Sequence, residues 1–142
     1  MLFGKRERLI RRILVVEDEP LVAFDNEHLL TDAGYEVVAT VDNLDEARAV
    51  IESEELDLVL TDVRLSGDGD GTGVARIARK KGVPVLFVTA HDVADGEGLG
   101  IGRLSKPYSN KVLRGALEAL DKRLQGRGPK KLPPQLTLFG QA

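Results

Sequence analysis

Five residues could do chemistry together: the acidic pair Glu17-Asp18, Asp62, the hydroxyl of Thr89 and the ammonium of Lys106. Three crowded carboxylates repel one another, which raises at least one pKa unless a cation sits among them. The chain has no Cys, and no His adjoins these acids in sequence. The ligand set is therefore all oxygen, which suits a hard ion such as Mg²⁺. Acid, metal, lysine and hydroxyl together are the parts that phosphoryl transfer uses. Metal and Lys106 would neutralise the transferred oxygens, and Thr89 would donate to one of them. A carboxylate can itself be the nucleophile and form an aspartyl phosphate. Asp62 is the candidate, because it closes the stretch DLVLTD, whose Leu58, Val59 and Leu60 read as a buried strand.

These residues meet only if the right elements carry them. Ile13–Glu17 reads as a first strand, followed by a helix from Pro20 to about Ala33, with Asp18 or Glu19 as its cap and Gly34 as its stop. Tyr35–Val41 is rich in β-branched residues and reads as a second strand. Asn43 caps a helix over residues 44–53, and Leu56–Asp62 is a third strand. A glycine-rich loop leads into a helix over 74–81, stopped by Gly82, and Pro84–Thr89 is a fourth strand. Residues 90–102 carry Gly96, Gly98, Gly100 and Gly102 and no sustained helical period, so any helix there must be short. Arg103–Ser105 reads as a fifth strand. Ser109 or Asn110 caps a last helix, which ends at Gly126. Five strands alternating with helices imply an α/β fold: a doubly wound, five-stranded parallel sheet with helices on both faces. Ligands in such sheets sit at the carboxyl ends of the strands, where strand order reverses. That edge carries Glu17, Asp18, Asp62, Thr89 and Lys106.

The bulk numbers agree with one domain. The chain has 142 residues, 42% hydrophobic and 30% charged, which is globular composition. No signal sequence or membrane span is legible. Residues 1–12 carry +4 and residues 126–142 carry +3, so a total of −3 leaves −10 on residues 13–125. An acidic body with short basic ends argues against nucleic-acid binding and suits a protein that holds a cation. The organisation expected is a basic flank over 1–11, the domain over 12–125 and a proline-rich tail over 126–142. The tail reads as an extended or mobile appendage, with Leu136, Leu138 and Phe139 available to dock on the domain itself or on a partner.

In their order along the chain these motifs resemble the receiver domain of two-component response regulators, over about Arg12 to Gln125. The resemblance rests on Glu17-Asp18, Asp62, Thr89-Ala90 and Lys106-Pro107. It implies a flavodoxin-like receiver fold, phosphorylation of Asp62 by a sensor histidine kinase or histidine phosphotransfer protein, and Mg²⁺ held by Glu17, Asp18, Asp62 and the backbone carbonyl of Arg64. It implies a cytoplasmic protein, monomeric or weakly dimeric, that catalyses its own phosphorylation and dephosphorylation without being a dedicated enzyme. FVTAH and KPY also resemble a stand-alone alphaproteobacterial subgroup with a Phe-Ala-Thr-Gly motif, from which Val88 and Ala90 depart. The 17 residues after Gln125 are too few for a DNA-binding output domain, so output is expected through a downstream protein target or onward transfer. Arg103 stands where the family often has a switch aromatic, and it is expected to work with Thr89 in ordering residues 91–103. Two rival readings differ in class. One is a degenerate receiver that only binds. The other is a Mg²⁺-dependent phosphatase with an Asp nucleophile, against which Arg64 replaces the second acid that such enzymes carry.

Overall fold

The computed structural model describes residues 8–65, 70–90, 98–128 and 131–139. The strands are β1 (Arg12–Val16), β2 (Glu36–Val41), β3 (Leu58–Asp62), β4 (Val85–Thr89), β5 (Gly102–Ser105) and β6 (Leu136–Leu138). The helices among the described residues are α1 (Pro20–Asp32), α2 (Leu44–Ser53), α3 (Gly71–Lys80) and α4 (Asn110–Leu124). They build a doubly wound α/β sheet in the order β2-β1-β3-β4-β5-β6, parallel except for β6. The reversal of strand order falls between β1 and β3, so the residues that follow these two strands share one crevice.

Strand alternation splits the core in two. Ile13, Val15, Leu58, Leu60, Leu86 and Val88 face α1 and α4, where Leu30, Leu113 and Leu117 meet them. Leu14, Val16, Val59, Val85 and Phe87 face α2 and α3, where Ile51, Val74 and Ala78 meet them. Both faces being covered, the strands read as continuous apolar runs, which is why their positions were legible.

Caps set the helix starts. Asn43 accepts from the Glu46 amide at 2.9 Å, and Ser109 accepts from the Val112 amide at 3.1 Å. Gly34, at φ +96°, and Gly82, at φ +75°, turn the chain out of α1 and α3 as expected. Two starts differ from expectation. Glu19 occupies the α1 N-cap position but makes no side-chain capping bond; its carboxylate lies 3.5 Å from Lys106 Nζ instead. α3 begins at Gly71, three residues before the apolar period, because Asp70 caps it by accepting from the Gly73 amide at 3.0 Å. The Thr72 hydroxyl, 2.6 Å away, holds the Asp70 carboxyl below its usual value.

The sheet also corrects the five-strand, all-parallel reading. Leu136–Leu138 add an antiparallel strand to β5. Leu136 is buried there, and burying a leucine stabilises by about 1.5–3 kcal/mol. No helix among the described residues is long and apolar enough to cross a membrane.

Candidate functional site

The crevice begins with two strand ends. β1 stops at Val16, and the Glu17 amide still donates to the Val41 carbonyl at 2.9 Å, which anchors Glu17 to the sheet. The Glu19 amide donates to Glu17 Oε2 at 3.1 Å. Next door, β3 delivers Asp62, whose Oδ1 accepts from the Arg64 amide at 3.2 Å. The Thr61 hydroxyl donates to the Asp62 carbonyl at 2.9 Å. Glu17 and Asp62 are only 3% and 9% exposed, so neither charge is well hydrated.

One cation answers them. Lys106 Nζ donates to Asp62 Oδ2 at 2.8 Å and to Glu17 Oε1 at 3.0 Å. Burial alone would lower the Lys106 pKa, but its bonds and charge interactions with Asp62 and Glu17 outweigh that and hold it above the ordinary lysine value. Glu17 is pushed up by burial, and the Glu19 amide and Lys106 only partly oppose the shift.

Glu17, Asp18 and Asp62 each offer a carboxylate oxygen, all within 4.8 Å of one another. Two oxygens on one Mg²⁺ lie at most about 4.2 Å apart, twice a bond of about 2.1 Å. A small contraction would seat the ion, and the all-oxygen donor set suits it. Thr89 ends β4 and is buried at the same edge. Its carbonyl accepts from the Lys106 amide at 2.9 Å, so Thr89 and Lys106 are fixed to each other through backbone.

The structure thus brings together Glu17, Asp18, Asp62, Thr89 and Lys106, with Arg64 two residues past Asp62. Arg103 lies apart, on β5, where its guanidinium donates to Ser105 Oγ at 3.1 Å and to Thr137 Oγ1 at 3.3 Å. His91 and most of the segment expected to order on activation lie outside the described residues.

Three supporting features were not read from sequence. Glu19 adds a third carboxylate to Lys106. Tyr108, two residues after Lys106, donates to Asn26 Oδ1 on α1 at 3.1 Å and ties the Lys106 loop to the helix beside the crevice. Gly71 packs against the backbone of the site: a Cβ there would stand 2.1 Å from the Asp62 carbonyl oxygen. The glycine-rich loop was the only signal for Gly71. Gly71→Val should destabilise the fold by about 3 kcal/mol, at the upper end of overpacking costs. It should also slow any reaction at Asp62 beyond the loss of folded protein, because β3 and α3 cannot both keep their places. Thermal unfolding alongside phosphoryl uptake checks this, and a fully stable, fully reactive variant would refute it.

A family model for the response regulator receiver domain matches residues 13–118. The chain belongs to the response regulator receiver family. This receiver is 31% identical, over 113 residues, to the transcriptional regulatory protein PdtaR of Mycobacterium tuberculosis, an alignment covering 76% of this chain and 55% of PdtaR. The chain therefore spans about half the length of that curated relative. A CheY-like receiver domain protein from Methanospirillum hungatei superposes with a TM-score of 0.70 at 27% identity, covering 82% of this chain and 95% of that one. The receiver domain of the Pseudomonas aeruginosa sensor histidine kinase PA1611 superposes with a TM-score of 0.68 at 28% identity, covering 82% and 98%. That structure holds a magnesium ion in its active site cleft. Receivers of this family work in two-component signalling and have the flavodoxin-like fold described above.

Proposed function

We propose that this receiver accepts a phosphoryl group on Asp62, from a phosphohistidine of a sensor histidine kinase or histidine phosphotransfer protein, with Mg²⁺ bound by Glu17, Asp18, Asp62 and the Arg64 carbonyl. The observation that carries this reading is Lys106 Nζ at 2.8 Å from Asp62 Oδ2, beside a three-carboxylate cluster. Asp62 attacks phosphorus as the P–N bond to the donor imidazole breaks, and the leaving imidazole takes up a proton. Bound Mg²⁺ supplies Lewis-acid neutralisation of the phosphoryl oxygens. Lys106 moves its ammonium from carboxylate to phosphoryl oxygen, and Thr89 donates its hydroxyl to another. The Arg64 amide keeps the Asp62 carboxylate turned toward the incoming group. The phosphorylated receiver then acts in the cytoplasm by contact with a downstream protein or by passing the group on.

Intact mass after incubation with acetyl phosphate and Mg²⁺ tests the reading: one phosphoryl group should be gained, and only with the metal present. Asp18→Ala should slow the gain about 10–100-fold at low Mg²⁺, the range seen when a metal site loses a supporting group. Excess Mg²⁺ should recover much of it, because the nucleophile is intact. A defect that excess Mg²⁺ leaves unchanged would show that Asp18 does something other than hold the ion.

A further inference from the structure

The sheet ends on a strand that a receiver's alternating pattern does not require. β6 is three residues long and aligns Leu138 with Gly102, Thr137 with Arg103 and Leu136 with Leu104. Its side chains belong to the core. Leu136 is buried and Leu138 packs against the same cluster under α4, while Phe139 packs with the core on the opposite face of the sheet. The Phe139 amide donates to the Ile101 carbonyl at 3.0 Å, and Arg123 from α4 donates to the Phe139 carbonyl at 2.9 Å. Residue 102 permits this close approach because it is a glycine: a Cβ there would lie 2.7 Å from the Thr137 carbonyl oxygen.

The tail also reaches the residue before Lys106. Neighbouring amides at the end of β5 turn to opposite sides. The Ser105 amide donates outward to the Gln135 carbonyl at 3.0 Å, and the Lys106 amide donates inward to the Thr89 carbonyl at 2.9 Å. A side chain repeats the outward tie. Arg103 gives one guanidinium nitrogen to Ser105 Oγ at 3.1 Å and another to Thr137 Oγ1 at 3.3 Å, and a planar fork holds its two acceptors in a fixed relation. A strand that only covered a sheet edge would have no use for a link that ends on Ser105. Beyond Lys106, Tyr108 ties the loop to α1. Lys106 carries its ammonium on a flexible four-carbon stem. The place of its Cα therefore decides how well Nζ meets Asp62 and Glu17 together.

We propose that β6 positions Lys106 by holding the end of β5 against β4, and that Arg103 is the positioning side chain that joins the two outer strands. The consequence for reaction rate rests on the phosphoryl-transfer reading above; the placement of the ammonium does not. Ser105 pairs with Thr89 and precedes Lys106, so movement at Ser105 is passed on to both. Without the Arg103 link the tail and the end of β5 shift against each other, and Nζ spends less time on its two carboxylates. A misplacement of about 1 Å can cost on the order of 10²-fold in rate, so a small loosening one residue away is enough to be measured.

Brief acylation of the full chain with acetic anhydride, read residue by residue by peptide mass, tests the placement without phosphoryl chemistry. Only a neutral amine acylates, and the bonds to Asp62 and Glu17 keep Lys106 protonated. Arg103→Ala and Thr137→Val should each speed labelling of Lys106, relative to the exposed Lys80, by at least about threefold, the effect of half a pKa unit. Thr137→Ser restores the hydroxyl and should restore slow labelling. Uptake from acetyl phosphate at saturating Mg²⁺ should fall about tenfold in Arg103→Ala, within the range that small misplacements cause. Added to Lys106→Ala, the same substitution should cost nothing more, because its effect runs through that lysine. Wild-type labelling of Lys106 in both variants overturns the proposal. So does an equal loss of uptake with and without Lys106, which would mean a general loosening of the fold. Faster labelling in a chain that never takes up a phosphoryl group would sustain the positioning role and refute the phosphoryl-transfer reading.

Discussion

Asp62→Asn should leave a folded receiver that gains no phosphoryl mass from acetyl phosphate and Mg²⁺, at any incubation time. The asparagine keeps the shape of the side chain. Its carbonyl oxygen can still accept from the Arg64 amide or from Lys106, which now donate to the two Asp62 oxygens. An amide, however, offers phosphorus no anionic oxygen, so the loss should be complete rather than partial. Stability should hold or rise. The charge of Asp62 is one cause of the upward push on Glu17, and removing it relieves a crowd of buried acids. The pairing of lost reaction with retained or raised thermal stability is what identifies a nucleophile. A variant that gains mass at the wild-type rate would place the acceptor elsewhere, and one that loses both reaction and fold would leave the assignment resting on geometry alone.

Much of this site could be read from the chain because each of its parts is local. Asp62 follows an apolar run, Glu17-Asp18 follow another, and Lys106 precedes a proline. The strand-end rule then gathers them without any knowledge of distance. Asn43 and Ser109 were legible for a similar reason, since a cap bonds to an amide three residues on. What escaped is non-local. Nothing in residues 66–73 says that Gly71 must clear the Asp62 carbonyl. Glu19 looked like a cap, because the competing ammonium lies 87 residues away. β6 was hidden for a different reason. Three residues in a proline-rich tail carry too little period to announce a strand, and their partner is an edge whose only mark is Gly102. Arg103 was read from the place of a switch aromatic, and the bonds described for it run along β5 and across to Thr137, a pairing with the tail that the sequence does not announce.

Lys106→Ala should move two properties of this receiver in opposite directions. Without the ammonium, Glu17, Asp18 and Asp62 keep their mutual repulsion and lose their counter-charge, so Mg²⁺ should bind more tightly. Even about 1.4 kcal/mol of released competition is tenfold in affinity, and a unit charge about 4 Å away acts with more than that at a partly buried site. Phosphoryl uptake should nevertheless fall, by about 10²–10³-fold, because the transferred oxygens lose a preplaced cation. Stability has its own signature. The Lys106 pKa is raised in the folded state, so its contribution is fully present below the ordinary lysine value of 10.5 and is lost as pH climbs through the higher folded value. Glu17 is raised as well. Losing Lys106 raises it further, so the variant regains stability as acid neutralises the carboxylates. The wild-type and variant stability curves should therefore stand furthest apart near neutral pH and converge at both extremes, and saturating Mg²⁺ should narrow the gap between them. Denaturant unfolding across pH, with and without Mg²⁺, measures the stability and affinity changes on one pair of proteins, and intact mass after acetyl phosphate measures the uptake. Weaker Mg²⁺ binding by Lys106→Ala would mean that the lysine organises the acids rather than competes for them.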